Sequence, residues 1–155
     1  MKKAFLKWIM AVLGVTSVSS CFLYASPHAT YEAKGRVTDE EGRSITGIQV
    51  GFCASYGETD SLGNKIYYPD GQPVLTDTDG KFSLKVENYS FGGGEGVTIG
   101  FIDIDGPDGG GSFQSKFVEQ PLVQKKKGKW HDSWDEGDYE VPGMVNVTLE
   151  REPQE

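Results

Sequence analysis

Asp103, Asp105 and Asp108 place three carboxylates at i, i+2 and i+5 of a glycine-rich loop. Oxygen ligands at that density suit Ca2+, and a bound cation would relieve their mutual repulsion. The later bidentate glutamate of an EF-hand loop is missing and Gly106-Pro107 interrupts the spacing, so the same residues also read as a solvated turn. Trp130 and Trp134 stand among Asp132, Asp135 and Glu136. Two indoles beside carboxylates can stack on a sugar or cover the rim of a core. Cys53 follows the alternation Ile48, Val50, Phe52 and so falls on the outward row, which predicts a thiol open to modification or crosslinking. Free cysteine is nonetheless a commonly buried residue, which favours a small side chain covered by a loop or seated at a β-bulge. His28 and His131 are the only histidines. His131 with its neighbours Asp132 or Asp135 cannot supply both positioning and relay for a nucleophile. One histidine and one thiol do not make a zinc site. Gly92-Gly93-Gly94 has no following helix or basic residue and is no phosphate loop. No residue set specifies a reaction, so a non-enzyme is expected, with no cofactor beyond the Ca2+ that the 103–108 loop suggests.

The second cysteine, Cys21, sits in a different context. Lys2, Lys3 and Lys7 precede the apolar run Trp8 to Val15, which is too short to span a bilayer as a mature helix. Small residues then lead to Val18-Ser19-Ser20-Cys21, which resembles a bacterial lipobox. The resemblance implies a diacylglycerol on Cys21, cleavage before it, and palmitate-type acylation of the new amino terminus. It divides the chain into a signal peptide (1–20), a tether (21–30), a domain (31–150) and a tail (151–155). Phe22 is not the aspartate linked to inner-membrane retention, so the outer membrane is favoured within the cell envelope, with a periplasmic or surface face. Removing residues 1–20 leaves 12 basic and 23 acidic residues, a net charge of −11. A surface that acidic repels nucleic acid and anionic headgroups, so the acyl chains have to provide the anchor. With Cys21 acylated, Cys53 has no partner for a disulfide within the chain.

The elements that must position these residues are strands. Apolar residues alternate at period two over Tyr31–Val37, Ile48–Phe52, Phe82–Val86, Val97–Phe101 and Val145–Leu149, with weaker runs at 73–76 and 113–118. Asp39-Glu40-Glu41-Gly42 and Asp77-Thr78-Asp79-Gly80 read as turns. A polar stretch from 57 to 71 holds a hairpin around Leu62-Gly63-Asn64. Lys125-Lys126-Lys127 facing Asp135, Glu136 and Asp138 reads as a solvated hairpin of opposing signs. Outside residues 1–20 apolar residues do not recur at helical spacing. The expected fold is all-β, a single antiparallel sandwich of about seven strands, with Phe52, Phe82, Leu84, Ile99, Phe101 and Val147 in its core.

Gly35-x-Val37-x-Asp39-x-x-Gly42-x-x-Ile45-x-Gly47-Ile48-x-Val50, with the later Thr76-Asp77-Thr78-Asp79-Gly80-Lys81-Phe82, resembles the carboxypeptidase regulatory-like, transthyretin-like β-sandwich, an immunoglobulin-like architecture that usually serves as an accessory unit. Together with the lipobox and the 103–113 loop, the chain is similar to a family of lipoproteins associated with radical SAM enzymes. The resemblance implies a partner enzyme of radical chemistry. The chain itself lacks a Cys-x-x-x-Cys-x-x-Cys motif and cannot hold a [4Fe–4S] cluster. Three roles follow as expectations. The first is a binding or scaffold lipoprotein in that system. The second is a substrate modified by the partner, at Cys53 or an aromatic side chain. The third is a calcium-stabilised carbohydrate-binding module. Asp60-Ser61-Leu62 also resembles an O-glycosylation acceptor of some exported bacterial proteins, which marks Ser61 as a modification site.

Overall fold

The computed structural model describes residues 27–54, 57–89, 96–109, 111–129, 131 and 134–153. Cys21 and Trp130 lie outside the described residues, and the side chain of Asp108 is likewise not described. Among the described residues nine strands follow one another: β1 (His28–Thr38), β2 (Ile48–Ala54), β3 (Tyr68–Leu75), β4 (Lys81–Tyr89), β5 (Gly96–Asp103), β6 (Lys116–Pro121), β7 (Val123–Lys127), β8 (Asp135–Glu140) and β9 (Val145–Thr148). The chain is all-β, and a 3-10 turn at Gly106–Gly109 is the one helical element among the described residues. Five of the strands fall on the clear alternating runs, and β3 and β6 overlap the weaker ones, with β6 starting at Lys116 rather than at 113. The other two, β7 and β8, form the hairpin of opposing charge.

Two sheets pack face to face. One runs β4-β1-β8-β7 with β9 also against β1, and the other runs β3-β2-β5-β6. The expected antiparallel sandwich is found, with parallel pairing at one strand, β1. β8 and β9 both pair parallel to β1, over His28–Glu32 and Gly35–Thr38. β1 is long enough to hold both end to end, and β9 continues in the direction of β8. Between them the Val141 amide donates to the Glu32 carbonyl (2.9 Å), which keeps the run beside β1 across the break. The pairings β1–β4, β2–β3, β2–β5, β5–β6 and β7–β8 are antiparallel.

The alternation of the sequence becomes the core. Tyr31, Ala33 and Val37 from β1 meet Ile48, Val50 and Phe52 from β2, with Phe82, Leu84, Ile99, Phe101 and Val147 filling the space between. All six residues expected in the core are buried. Each large apolar side chain so enclosed contributes about 1.5–3 kcal/mol relative to exposure. The ring of Phe82 meets Phe101 edge-on (5.7 Å between centroids), and Tyr31 packs between Phe52 (6.1 Å) and Tyr139 (5.6 Å). Strand β1 begins at His28 rather than Tyr31 because Ala29 already points into this core. At the other terminus Gln114 and Glu152 donate backbone hydrogen bonds to Glu150 and Ser112 (both 2.9 Å), so residues 150–152 belong to the domain.

Thr76 is buried where the chain leaves β3. Its hydroxyl donates to the Ile45 carbonyl (2.7 Å) and accepts from the Ile48 amide (3.0 Å). One side chain thus satisfies two backbone groups of the 45–48 turn that would otherwise be buried unpaired.

Candidate functional site

One local structure is built three times. Asp39–Arg43, Asp60–Asn64 and Asp77–Lys81 share the sequence Asp-x-x-Gly-x. In each, the Asp amide donates to the carbonyl four residues on (2.9 Å in all three), and the Gly amide donates back to the Asp carbonyl (3.0, 3.0 and 2.8 Å). One carboxylate oxygen accepts from the amides at the third and fifth positions, at 2.8–3.1 Å. The glycines hold φ of 79°, 84° and 70°, the left-handed conformation that closes a three-residue hairpin loop with a bulge. The aspartates here are turn formers, each with one carboxylate oxygen committed to two backbone amides. The middle copy is the hairpin expected around Leu62-Gly63-Asn64. Ser61 is exposed at its second position and Leu62, 85 % exposed, at its third.

Asp39 is also buried, at 3 % exposure. Its second oxygen accepts from the Arg43 side chain (2.8 Å) and lies 3.6 Å from Arg151, whose guanidinium stacks over Phe113 (4.9 Å to the centroid). Burial pushes the Asp39 carboxyl up, but the Arg43 amide and guanidinium outweigh it and hold the group below its ordinary value. A depressed folded-state value means this contribution is complete above the unfolded carboxylate range, near about pH 4, and is lost as pH falls through the lower folded value. Asp39→Asn should therefore melt lower than wild type at pH 7, and the gap should narrow as pH drops below about 4. A gap of constant size between pH 7 and pH 2 would show that the charge of Asp39 does no work.

The aspartates considered for calcium are arranged for the loop. Asp103 accepts from the Asp105 and Gly106 amides through one oxygen (3.2 and 2.9 Å) and from the Phe113 amide through the other (2.9 Å). Both oxygens thereby fasten the 104–113 excursion to the end of β5. The Asp105 carboxylate lies against Gly47, where an added Cβ would stand 2.9 Å from it. Among the described residues no group of three or more His, Cys, Asp or Glu side chains is placed to hold a metal.

Cys53 is on the outward row of β2, but it is not accessible. It is 5 % exposed. Its Sγ and the ring of Phe117 crowd together over Gly100, which has no side chain to fill that space, and Tyr67 stacks on Phe117 at 4.9 Å. The β2–β3 pairing shifts register just upstream, between Val50 and Phe52. Burial pushes the thiol up, against a hydrogen bond from the Gly100 amide, and the charge of Asp70 adds to the rise. A thiol kept protonated and covered is a poor nucleophile. Of the two readings of Cys53, the favoured one, a covered side chain, is the one found, because outward on a strand is not the same as exposed when a neighbouring glycine lets an aromatic ring lie flat.

Charges on the outer face of the first sheet, which no sequence motif marks, form a ladder across four strands. Lys85 of β4 meets Glu32 of β1 (2.7 Å), and Lys125 of β7 meets Glu140 of β8 (2.7 Å) and reaches toward Glu32 (3.6 Å). With Lys34 and Ser83 they line a shallow cavity of about 190 Å³. The hydrogen bond from Lys85 holds the Glu32 carboxyl below its ordinary value, and the one that Lys125 donates to Glu140 raises the Lys125 ammonium. The signs alternate, so the groups answer one another. The signal was present as alternate charges on neighbouring outward rows, but only the strand order brings them together.

Trp134 is 41 % exposed, where β8 starts beside His28. Asp103 is at the opposite end of the sandwich, beyond Ile48 and β1's Thr38. The indole and the carboxylates therefore do not form one site. No protein-family model matches the chain, and no curated protein matches it.

Proposed function

We propose that the chain is a membrane-anchored envelope lipoprotein whose β-sandwich serves as a non-catalytic binding or scaffold partner in a radical SAM-associated system. The observation that carries the reading is the lipobox-like Val18-Ser19-Ser20-Cys21 standing only seven residues ahead of His28, where the first strand of a sandwich begins. A cleaved and acylated Cys21 puts a folded module directly behind a lipid anchor. The side chains that first suggest chemistry also fit a scaffold. The carboxylates of Asp39, Asp60, Asp77 and Asp103 are spent on backbone amides. Labelling cells with an alkyne fatty acid tests the anchor. The wild type should be tagged and Cys21→Ser should not, and equal labelling of both would sink the reading.

A second reading is a substrate modified by the partner radical SAM enzyme at Cys53 or an aromatic side chain, and since Cys53 is covered the exposed Trp134 is the more accessible of these. Ser61, exposed on a hairpin tip, is a separate candidate for O-glycosylation. Intact mass of the native protein, with the partner gene present and deleted, separates the readings. A mass shift that depends on the partner favours the substrate role, and identical masses favour the scaffold.

A further inference from the structure

We propose that the end of the sandwich where the tether joins β1 is a membrane-contact surface, seated on lipid headgroups through Trp134, Lys127 and Lys129. The inference rests on the lipid-anchor reading and deepens it. The first ground is reach. The seven-residue step from Cys21 to His28 spans at most about 25 Å fully extended. The eleven residues of β1 span about 36 Å. The tether is shorter than the domain it holds, so the tether end stays beside the lipid surface.

The second ground is what the fold gathers there. The His28 amide donates to the Trp134 carbonyl (2.8 Å), which fixes the indole-bearing turn at the point where the tether arrives. β7 runs down the sheet edge and places Lys127 opposite Gly137, itself the partner of Ala29. The Lys129 amide is held by Asp135 (3.1 Å), and the side chains of Lys127 and Lys129 are exposed. The Asp135 carboxylate accepts from the Lys129 and Gly137 amides. An indole with one polar edge settles at a headgroup interface, and lysine stems reach past it to phosphates.

Taken whole, a net charge of −11 opposes approach to an anionic surface. The Debye length is about 8 Å at physiological ionic strength, so only the groups at the contact itself act on the headgroups, and there Lys127 and Lys129 stand exposed while Asp135 is committed to backbone amides.

Trp130 and Trp134 are the only tryptophans after Cys21, and both fall in the connection from β7 to β8. Intrinsic fluorescence of the mature protein thus reports on this end alone. Native protein is reconstituted into vesicles of phosphatidylethanolamine and phosphatidylglycerol, with acyl chains brominated close to the headgroup or unbrominated. Bromine should quench tryptophan emission about twofold, as interfacial indoles require. Lys127→Glu with Lys129→Glu should recover most of that emission while circular dichroism stays β-rich and the protein still floats with the vesicles. Floating protein whose emission ignores bromine overturns the contact and leaves the anchor standing. Quenching unchanged in the double variant also overturns it. Protein that neither floats nor carries acyl mass overturns the anchor reading and this inference together.

Discussion

Gly35→Ala should destabilise the domain by about 3–5 kcal/mol, although it adds a single methyl group. Gly35 lies mid-strand in β1, paired with Phe82 on one side and Val145 on the other. A Cβ there would stand 1.9 Å from the Val145 carbonyl oxygen and 2.8 Å from a ring carbon of Phe82. A ring can tilt, but a strand backbone cannot yield without giving up its ladder. The expected relaxation moves β9 away from β1 and strips the parallel pairing from Gly35 to Thr38. Gly42→Ala separates crowding from conformational strain. Gly42 has φ of 79° but nothing within 4 Å of an added Cβ, so alanine there should cost only about 1 kcal/mol. Urea melts of both variants check the pair, and equal midpoints for the two would refute the argument from crowding.

Phe82→Ala should cost about 3–5 kcal/mol through the buried ring and the cavity left behind. Phe82 joins the two sheets, edge-on to Phe101 of the other sheet at 5.7 Å and above Gly35 of its own. Its neighbours are the backbones of paired strands, which collapse poorly into a void. Because it touches Gly35, the two substitutions are coupled. Removing the ring does not free the Val145 carbonyl, so Phe82→Ala with Gly35→Ala should be less stable than either alone. A double variant as stable as Gly35→Ala would show that the ring, not the strand, is what alanine meets. A cost for Phe82→Ala below about 1 kcal/mol would mean that the core repacks around the gap.

The sandwich was legible in the sequence where one face of a strand is buried and the other wet. Val37, Phe82, Leu84, Ile99, Phe101 and Val147 declare themselves because their neighbours do not share their polarity. β7 could not declare itself as a strand. Its residues Val123 to Lys127 are all exposed, so it has no period to read, and it is a strand because it pairs with β8. The parallel placement of β8 and β9 was also out of reach. Local pattern fixes which residues point inward, while pairing direction depends on where the chain returns. Among the site residues, the turn role of Asp77 was readable from Asp-x-x-Gly. Residues 39, 60 and 77 share Asp-x-x-Gly-x in the sequence, and their common hydrogen bonds establish that each opens the same loop. Cys53 was correctly placed on the outward row, yet its burial depends on Phe117 of a distant strand and on a glycine between them. No pattern within β2 carries that information.

The strands at the sheet borders have a consequence for crowded molecules. An open strand offers unpaired amides and carbonyls that a second chain can match, which is how folded β-proteins begin to fibrillate. β3 carries Pro69 and Pro73, which have no amide to offer. β7 carries Lys125, Lys126 and Lys127 in succession, so two copies meeting along it would bring like charges together. β6 ends at Pro121, and after Leu122 the chain crosses to β7 in the opposite sheet. These three borders therefore resist growth by strand addition, which favours copies of the domain staying dispersed at high density.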